Sequence, residues 1–167
     1  MKKLGMLLCI CLTACLFFGC GGKSSTGKKA GEKVFRLAVV DPQVPLDMHL
    51  NTYSDIMRLT DNVTESLFIS REDGSIAPVL IEGTPSFSPE TLTYAFTIKS
   101  GVQFHNGKML TSRDVKYSLE RVVKKQSMAS LLETVVGYRD LQSGAANELA
   151  GIKIIDDTHF TITLSRR

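Results

Sequence analysis

After Cys20 the chain has no cysteine, and it has no tryptophan at any position. The 147 residues beyond Cys20 therefore hold no disulfide, no thiolate metal site and no cysteine nucleophile. Histidine is nearly as scarce: His49, His105 and His159 stand more than 50 residues apart, which denies a helical zinc site its i, i+4 pair. No metal and no other cofactor is expected. Charge of one sign is also lacking, with 20 Lys and Arg against 17 Asp and Glu and a net charge of +3, far from the basic excess of a nucleic-acid binder. Hydrophobic residues at 43% and charged residues at 22% exclude a disordered chain and a polytopic membrane protein, leaving one soluble domain or part of one.

All four cysteines, Cys9, Cys11, Cys15 and Cys20, lie within the single long apolar run, Leu4 to Gly22, which carries no charge and follows Lys2 and Lys3. A basic start before an apolar stretch is the pattern of an export signal, although 19 uncharged residues also just suffice to span a bilayer. Residues 21–33 then contain no large apolar side chain and read as a flexible tether. Within that tether Gly22-Lys-Ser-Ser-Thr-Gly-Lys28 imitates a phosphate-binding loop. Lys29 stands where Ser or Thr is required and no buried strand precedes the glycine, so nucleotide binding is not expected. Without Lys2 and Lys3 the net charge is only +1.

Apolar patterning begins at Val34. Val34 to Val40 reads as a strand, ended by Asp41-Pro42 and Val44-Pro45. Ser54 to Leu67 reads as a helix with Ile56, Leu59, Val63 and Leu67 on one face, and Leu67 to Ser70 as a short strand before an Asp73-Gly74 turn. Strict alternation in Thr91 to Lys99 predicts a strand with Leu92, Tyr94, Phe96 and Ile98 on one face. Gly101 and Gly107 mark turns around a short arm. Thr111-Ser-Arg-Asp114 is a capping-box-like start for a helix whose stripe is Val115, Ser118, Leu119, Val122 and Val123, with Thr111 expected to cap backbone N–H groups. A second helix is expected from Met128 to Leu141, weakened at Gly137, followed by a hairpin of Ile152–Ile155 and Thr158–Leu164.

Leu16-Phe-Phe-Gly19-Cys20, followed by Gly-Gly-Lys-Ser-Ser, resembles a bacterial lipoprotein signal, with Cys20 as the implied lipid-attachment residue and mature N-terminus. Leu12-Thr-Ala-Cys15 is the alternative and fits the consensus more closely, but cleavage there would leave Leu16, Phe17 and Phe18 where a polar tether is expected. The segment Leu92-Thr-Tyr-Ala-Phe-Thr-Ile-Lys-Ser-Gly-Val-Gln-Phe-His-Asn-Gly-Lys-Met-Leu-Thr-Ser-Arg-Asp-Val-Lys-Tyr-Ser-Leu-Glu-Arg121 resembles the signature region of the family 5 extracellular solute-binding proteins, the oligopeptide, dipeptide and nickel receptors of ABC importers. Asp73 to Pro78, Gly151 to Asp156 and Leu46-Asp-Met-His49 are similar to the same family, so the resemblance runs from Val34 to Leu164. Asn106 departs from the Asp frequent there, and the Trp often found before the signature is absent.

The resemblance implies a mixed α/β fold, a partial first lobe of a two-lobed periplasmic-binding-protein-like (type II) architecture, with residues 34–167 as a truncated N-terminal portion. It implies a lipid-anchored receptor fragment outside the membrane that passes a short peptide or similar small solute to ABC permease subunits. The alternative is a membrane-tethered remnant or interaction protein with no ligand of its own. Most of the signature is explained by packing and turns, His105 included, because ligand contacts gather on loops at strand ends. On that ground the ligand-contact candidates are Asp47, His49 and Tyr53, in the loop after the first strand. No catalytic motif is present, and Asp156-Asp157 reads as a turn, so an enzyme is not expected. A lobe that normally packs against further chain should leave apolar strand faces exposed.

Overall fold

A computed structural model describes residues 34, 36, 38, 46–50, 53–125 and 128–166. The expected export segment and tether, most of the expected Val34–Val40 strand, and both Cys15 and Cys20 lie outside these residues. Every element below belongs to one unit, Leu37–Arg167.

The alternating segment after Thr91 forms strand β4 (Thr93–Thr97) of a four-stranded antiparallel sheet with β3 (Ser86–Ser88), β5 (Ile152–Ile154) and β6 (His159–Thr163), in the order β3-β4-β6-β5. Pairing of β4 with β6 places Phe96 opposite Phe160, and the two rings stack with centroids 4.8 Å apart. A ring pair of this kind adds to the burial of Phe160, which is wholly inaccessible. The expected C-terminal hairpin is thus present, and Asp156 closes its turn by accepting the N–H groups of Thr158 and His159 at 2.7 and 2.8 Å.

A separate hairpin joins β1 (Phe68–Ser70) to β2 (Ile76–Pro78). The Asp73 carboxylate accepts the Ser75 N–H at 2.9 Å, and Gly74 takes the left-handed conformation that its turn requires. Strands β2 and β3, three residues each, are not among the segments expected from the sequence.

The capped helix is α2 (Ser112–Lys125), lying against the sheet, with Val115 and Val123 buried. Its start differs in one detail from expectation. The Asp114 carboxylate accepts both the Thr111 N–H at 2.9 Å and the Thr111 hydroxyl at 2.7 Å, so Thr111 donates to Asp114 instead of capping backbone N–H groups. Ser112 anchors the helix to the β5–β6 turn: its N–H donates to the Asp157 carbonyl at 2.8 Å and its hydroxyl to the Asp156 carbonyl.

Two helices are shorter than the periodicity suggests. The first, α1, covers Ser54–Thr60 only. The Asn62 side chain takes the Arg58 carbonyl at 2.7 Å, the Asn62 and Val63 N–H groups bond the nearer Leu59 and Thr60 carbonyls at 3.2 and 2.9 Å, and Val63 ends up exposed. The expected Met128–Leu141 helix is instead a 3₁₀ turn, Ala129–Leu132, followed by α3 (Tyr138–Ser143). Gly137 separates them with φ +83°, and a Cβ there would sit 2.7 Å from the Ala150 nitrogen. Leu131 is 70% exposed, whereas Val135 is buried.

Among the described residues most of the core falls into two clusters. Val123, Ala129, Val135, Tyr138, Leu141, Leu149 and Ile152 form one, and Ile98, Val115 and Phe160 the other. Leu119 and Ile162 pack against both, so α2 and β6 join them.

Candidate functional site

Ser118 and Arg121, one turn apart, project from the same side of α2 toward the Leu46–Leu50 loop. The loop is shaped by its own aspartate: Asp47 accepts the His49 N–H on its carboxylate at 3.0 Å and the Leu50 N–H on its carbonyl at 3.0 Å. This local turn brings the Asp47 carboxylate and the His49 ring to one place. Arg121 then binds both, reaching Asp47 Oδ1 at 2.8 Å and Asp47 Oδ2 with its second nitrogen, and His49 Nδ1 at 2.7 Å. Two-pronged guanidinium–carboxylate pairing of this kind fixes orientation as well as distance.

Electrostatics follow from that arrangement. Hydrogen bonding from Arg121 holds the Asp47 carboxyl far below the ordinary carboxylate range, and the same bond raises the Arg121 guanidinium. Burial lowers the His49 imidazole, the Arg121 charge lowers it further, and Asp47 opposes both.

Asp47, His49 and Ser118 invite comparison with a hydrolase triad, but the proton sits in the wrong place. Guanidinium nitrogens only donate, so the Arg121 contact requires a bare Nδ1. The ring proton is then on Nε2, which faces the Ser118 hydroxyl at 3.5 Å. Such an imidazole donates toward serine and cannot take its proton, which a general base must do. The cluster is a clamp between loop and helix.

Beside the clamp lies a cavity of about 540 Å³. Met48, Val63, Leu67, Leu80, Val102, Phe104, Leu110, Val115, Leu119, Val122, Met128, Leu131 and Leu132 give it an apolar wall, and His49, Glu65, Gln103, Asp114 and Ser118 supply most of its polar groups. Both the size and the sparse polar lining are those of a small-ligand site. Asp114 is engaged by Lys108 at 2.6 Å and by Thr111. A smaller basic hollow is bordered by Tyr117, Arg121, Lys124 and Lys125.

Of the three candidates from sequence, Asp47 and His49 come together and His49 lines the cavity. Tyr53 stands at the N-cap of α1, more than half exposed, and is not part of the lining. Arg121 and Ser118 were missed as site residues. Arg121 carried one usable signal, a charged side chain directly before Val122-Val123 on a helix otherwise striped with apolar residues. Among the described residues no group of three or more His, Cys, Asp or Glu is placed to hold a metal ion, and no helix is long and apolar enough to cross a membrane.

Known structures share this architecture. Listeria monocytogenes OppA bound to peptide superimposes with a TM-score of 0.67 at 23% identity, over 72% of this chain and 25% of that one. The pheromone receptor PrgZ, whose mode of peptide binding has been described, gives 0.65 at 24%, over 72% and 25%. The fold is therefore the mixed α/β fold of OppA-type periplasmic binding proteins, present in part.

The sequence model of the bacterial extracellular solute-binding proteins, family 5 Middle, matches residues 75–167, and the chain belongs to that family. A dipeptide-binding protein of Lactococcus lactis is 30% identical over 169 residues, 99% of this chain. The chain spans 30% of the length of that relative.

Proposed function

We propose that the chain is the N-terminal portion of the substrate-binding component of an ABC importer, taking short peptides outside the membrane and delivering them to permease subunits. The observation that carries this is family membership over residues 75–167, together with relatives named for dipeptide and peptide binding. In this reading the part of the chain that meets solute is the Leu46–Leu50 loop with the cavity it borders. An apolar wall with few polar groups suits loose selection of side chains, while affinity comes from peptide backbone and termini. Anchorage through lipid on Cys20, with Cys15 as the alternative, belongs to the same proposal. It is supported by the Leu4–Gly22 run and the Gly-Cys step before a polar tether.

Calorimetric titration of the soluble chain from Gly21 to Arg167 with a mixed pool of short peptides tests the binding role, with circular dichroism as the folding check. Saturable heat from a folded sample assigns binding to this portion itself. Absence of heat from a folded sample moves binding to sequence beyond this portion and favours the second reading, an interaction module without its own ligand. A specific feature speaks for that second reading: Leu46, Met48, Leu50, Met57 and Val63 are exposed within one stretch of chain. For the anchor, metabolic labelling with radioactive palmitate should be lost in Cys20→Ser and kept in Cys15→Ser. The reverse pattern assigns the lipid to Cys15.

A further inference from the structure

We propose that His49 is a proton-operated latch: its neutral ring lets Arg121 hold the Leu46–Leu50 loop tightly against α2, and its protonation loosens the loop, leaving the Asp47–Arg121 pair as its tie, and widens the mouth of the apolar cavity. The inference concerns the loop alone and stands whether or not the cavity takes peptide.

The contact between Arg121 and His49 Nδ1 is 2.7 Å, and the guanidinium has no lone pair to offer. It exists only while Nδ1 is bare. Adding a proton there replaces a donor–acceptor pair with two facing N–H groups and sets two cations side by side. Among the described residues Asp47 is the anion in contact with the pair, and it is already committed. Its Oδ1 accepts from Arg121 and from the His49 N–H, and its Oδ2 accepts from the other Arg121 nitrogen.

Other charged groups near the ring do not rescue the protonated form. On α2, Tyr117 acts on Arg121 and not on His49, and Asp114, across the cavity, is neutralised by Lys108. From the chain after α1, Glu65 borders the same cavity and is exposed. Burial and the Arg121 charge both lower the proton affinity of the ring, in agreement with the geometry.

Loosening of the loop has a direct consequence for the cavity, because Met48 and His49 form part of its lining. The docked loop binds fewer protons at His49 than the loosened loop does. Docking is therefore fully present above the ordinary histidine value of about 6.5 and weakens as pH falls below it.

Hydrogen–deuterium exchange of the full chain in detergent, at about pH 7.5 and about pH 5 with correction for intrinsic exchange rates, tests this. Protection of the His49 and Leu50 amides should fall by about threefold or more at the lower pH, while the Val123 amide in α2 keeps its protection. His49→Asn supplies a side-chain oxygen near the Nδ1 position that cannot titrate, and should make loop protection independent of pH. His49→Lys should leave the loop loosened at both pH values with α2 intact. Equal wild-type protection at the two pH values overturns the latch. So does an undiminished pH response in His49→Asn, which would assign it to another group. Loss of Val123 protection along with the loop also counts against it, since it would report general unfolding.

Discussion

From Ile98 to Leu164 the chain buries Val115, Val123, Leu149, Ile152 and Phe160 almost completely, whereas from Leu46 to Val63 it leaves Leu46, Met48, Leu50, Tyr53, Met57 and Val63 between 41% and 62% exposed. The earlier stretch sends Ile56 and Thr60 inward. A principal tie between its loop and α2 is the polar clamp of Arg121 on Asp47 and His49. One region is thus held by non-directional apolar burial that no pH change removes. The other depends on a few directed bonds whose strength follows protonation and geometry. Ile69 and Ile76 on the β1–β2 hairpin are exposed as well, so the expectation of uncovered strand faces holds there, but the larger run of exposed apolar residues lies on a loop and a helix.

The contrast can be broken from the apolar side first. Phe160→Ala removes the ring that stacks on Phe96 and touches the cluster of Ile98 and Val115, and urea unfolding should show a loss of about 3–5 kcal/mol. A loss under about 1 kcal/mol would mean the core collapses around the gap and is not the rigid half described above. Next in size is Gly151→Ala. Its Cβ would stand 2.7 Å from the Thr163 carbonyl oxygen and 2.9 Å from the Val136 nitrogen, all backbone, and the same assay should register about 1–3 kcal/mol.

Asp47→Asn sharpens the difference between the regions. It removes the charge that Arg121 grips, so amide exchange at residues 46–50 should accelerate while the urea midpoint of the core stays nearly unchanged. In the wild type the Asp47 carboxyl titrates well below its ordinary range because of the Arg121 bond. Its folded value is depressed, so the carboxylate arm of the clamp contributes fully above an ordinary aspartate value of about 3.9 and is lost only as pH falls further. A loop that loosens at mildly acid pH is then the work of His49, and one that opens only in strong acid is the work of Asp47. Smallest of all is Met57→Ser, a half-exposed site on α1, expected to move stability by no more than about 0.5 kcal/mol. A cost above about 1 kcal/mol would show that this face is not the open surface described above.

Elements with a long, clean period were legible in the chain. β4, α2 and the β5–β6 hairpin stand where alternation, capping and turn residues placed them. The two over-long helices show where periodicity misleads. Apolar spacing continued past Thr60, but the Asn62 side chain took the Arg58 carbonyl that a further turn would have used. Spacing also continued through Gly137, which takes a left-handed backbone and has no room for a Cβ beside Ala150. For the site, Asp47 and His49 could be chosen because they lie on a loop, yet Arg121 is 74 residues from Asp47 and its role is visible only after folding.

Local pattern placed the elements with a long, clean period, β4, α2 and the β5–β6 hairpin, because those depend on side chains a few residues apart. The bare Nδ1 of His49, the use of Arg121 as the clamp and the apolar cavity were decided by tertiary structure alone. Each needs groups from α2 and from the Leu46–Leu50 loop within hydrogen-bond or van der Waals reach, and such distances are set by how the sheet and its two clusters bring those elements together.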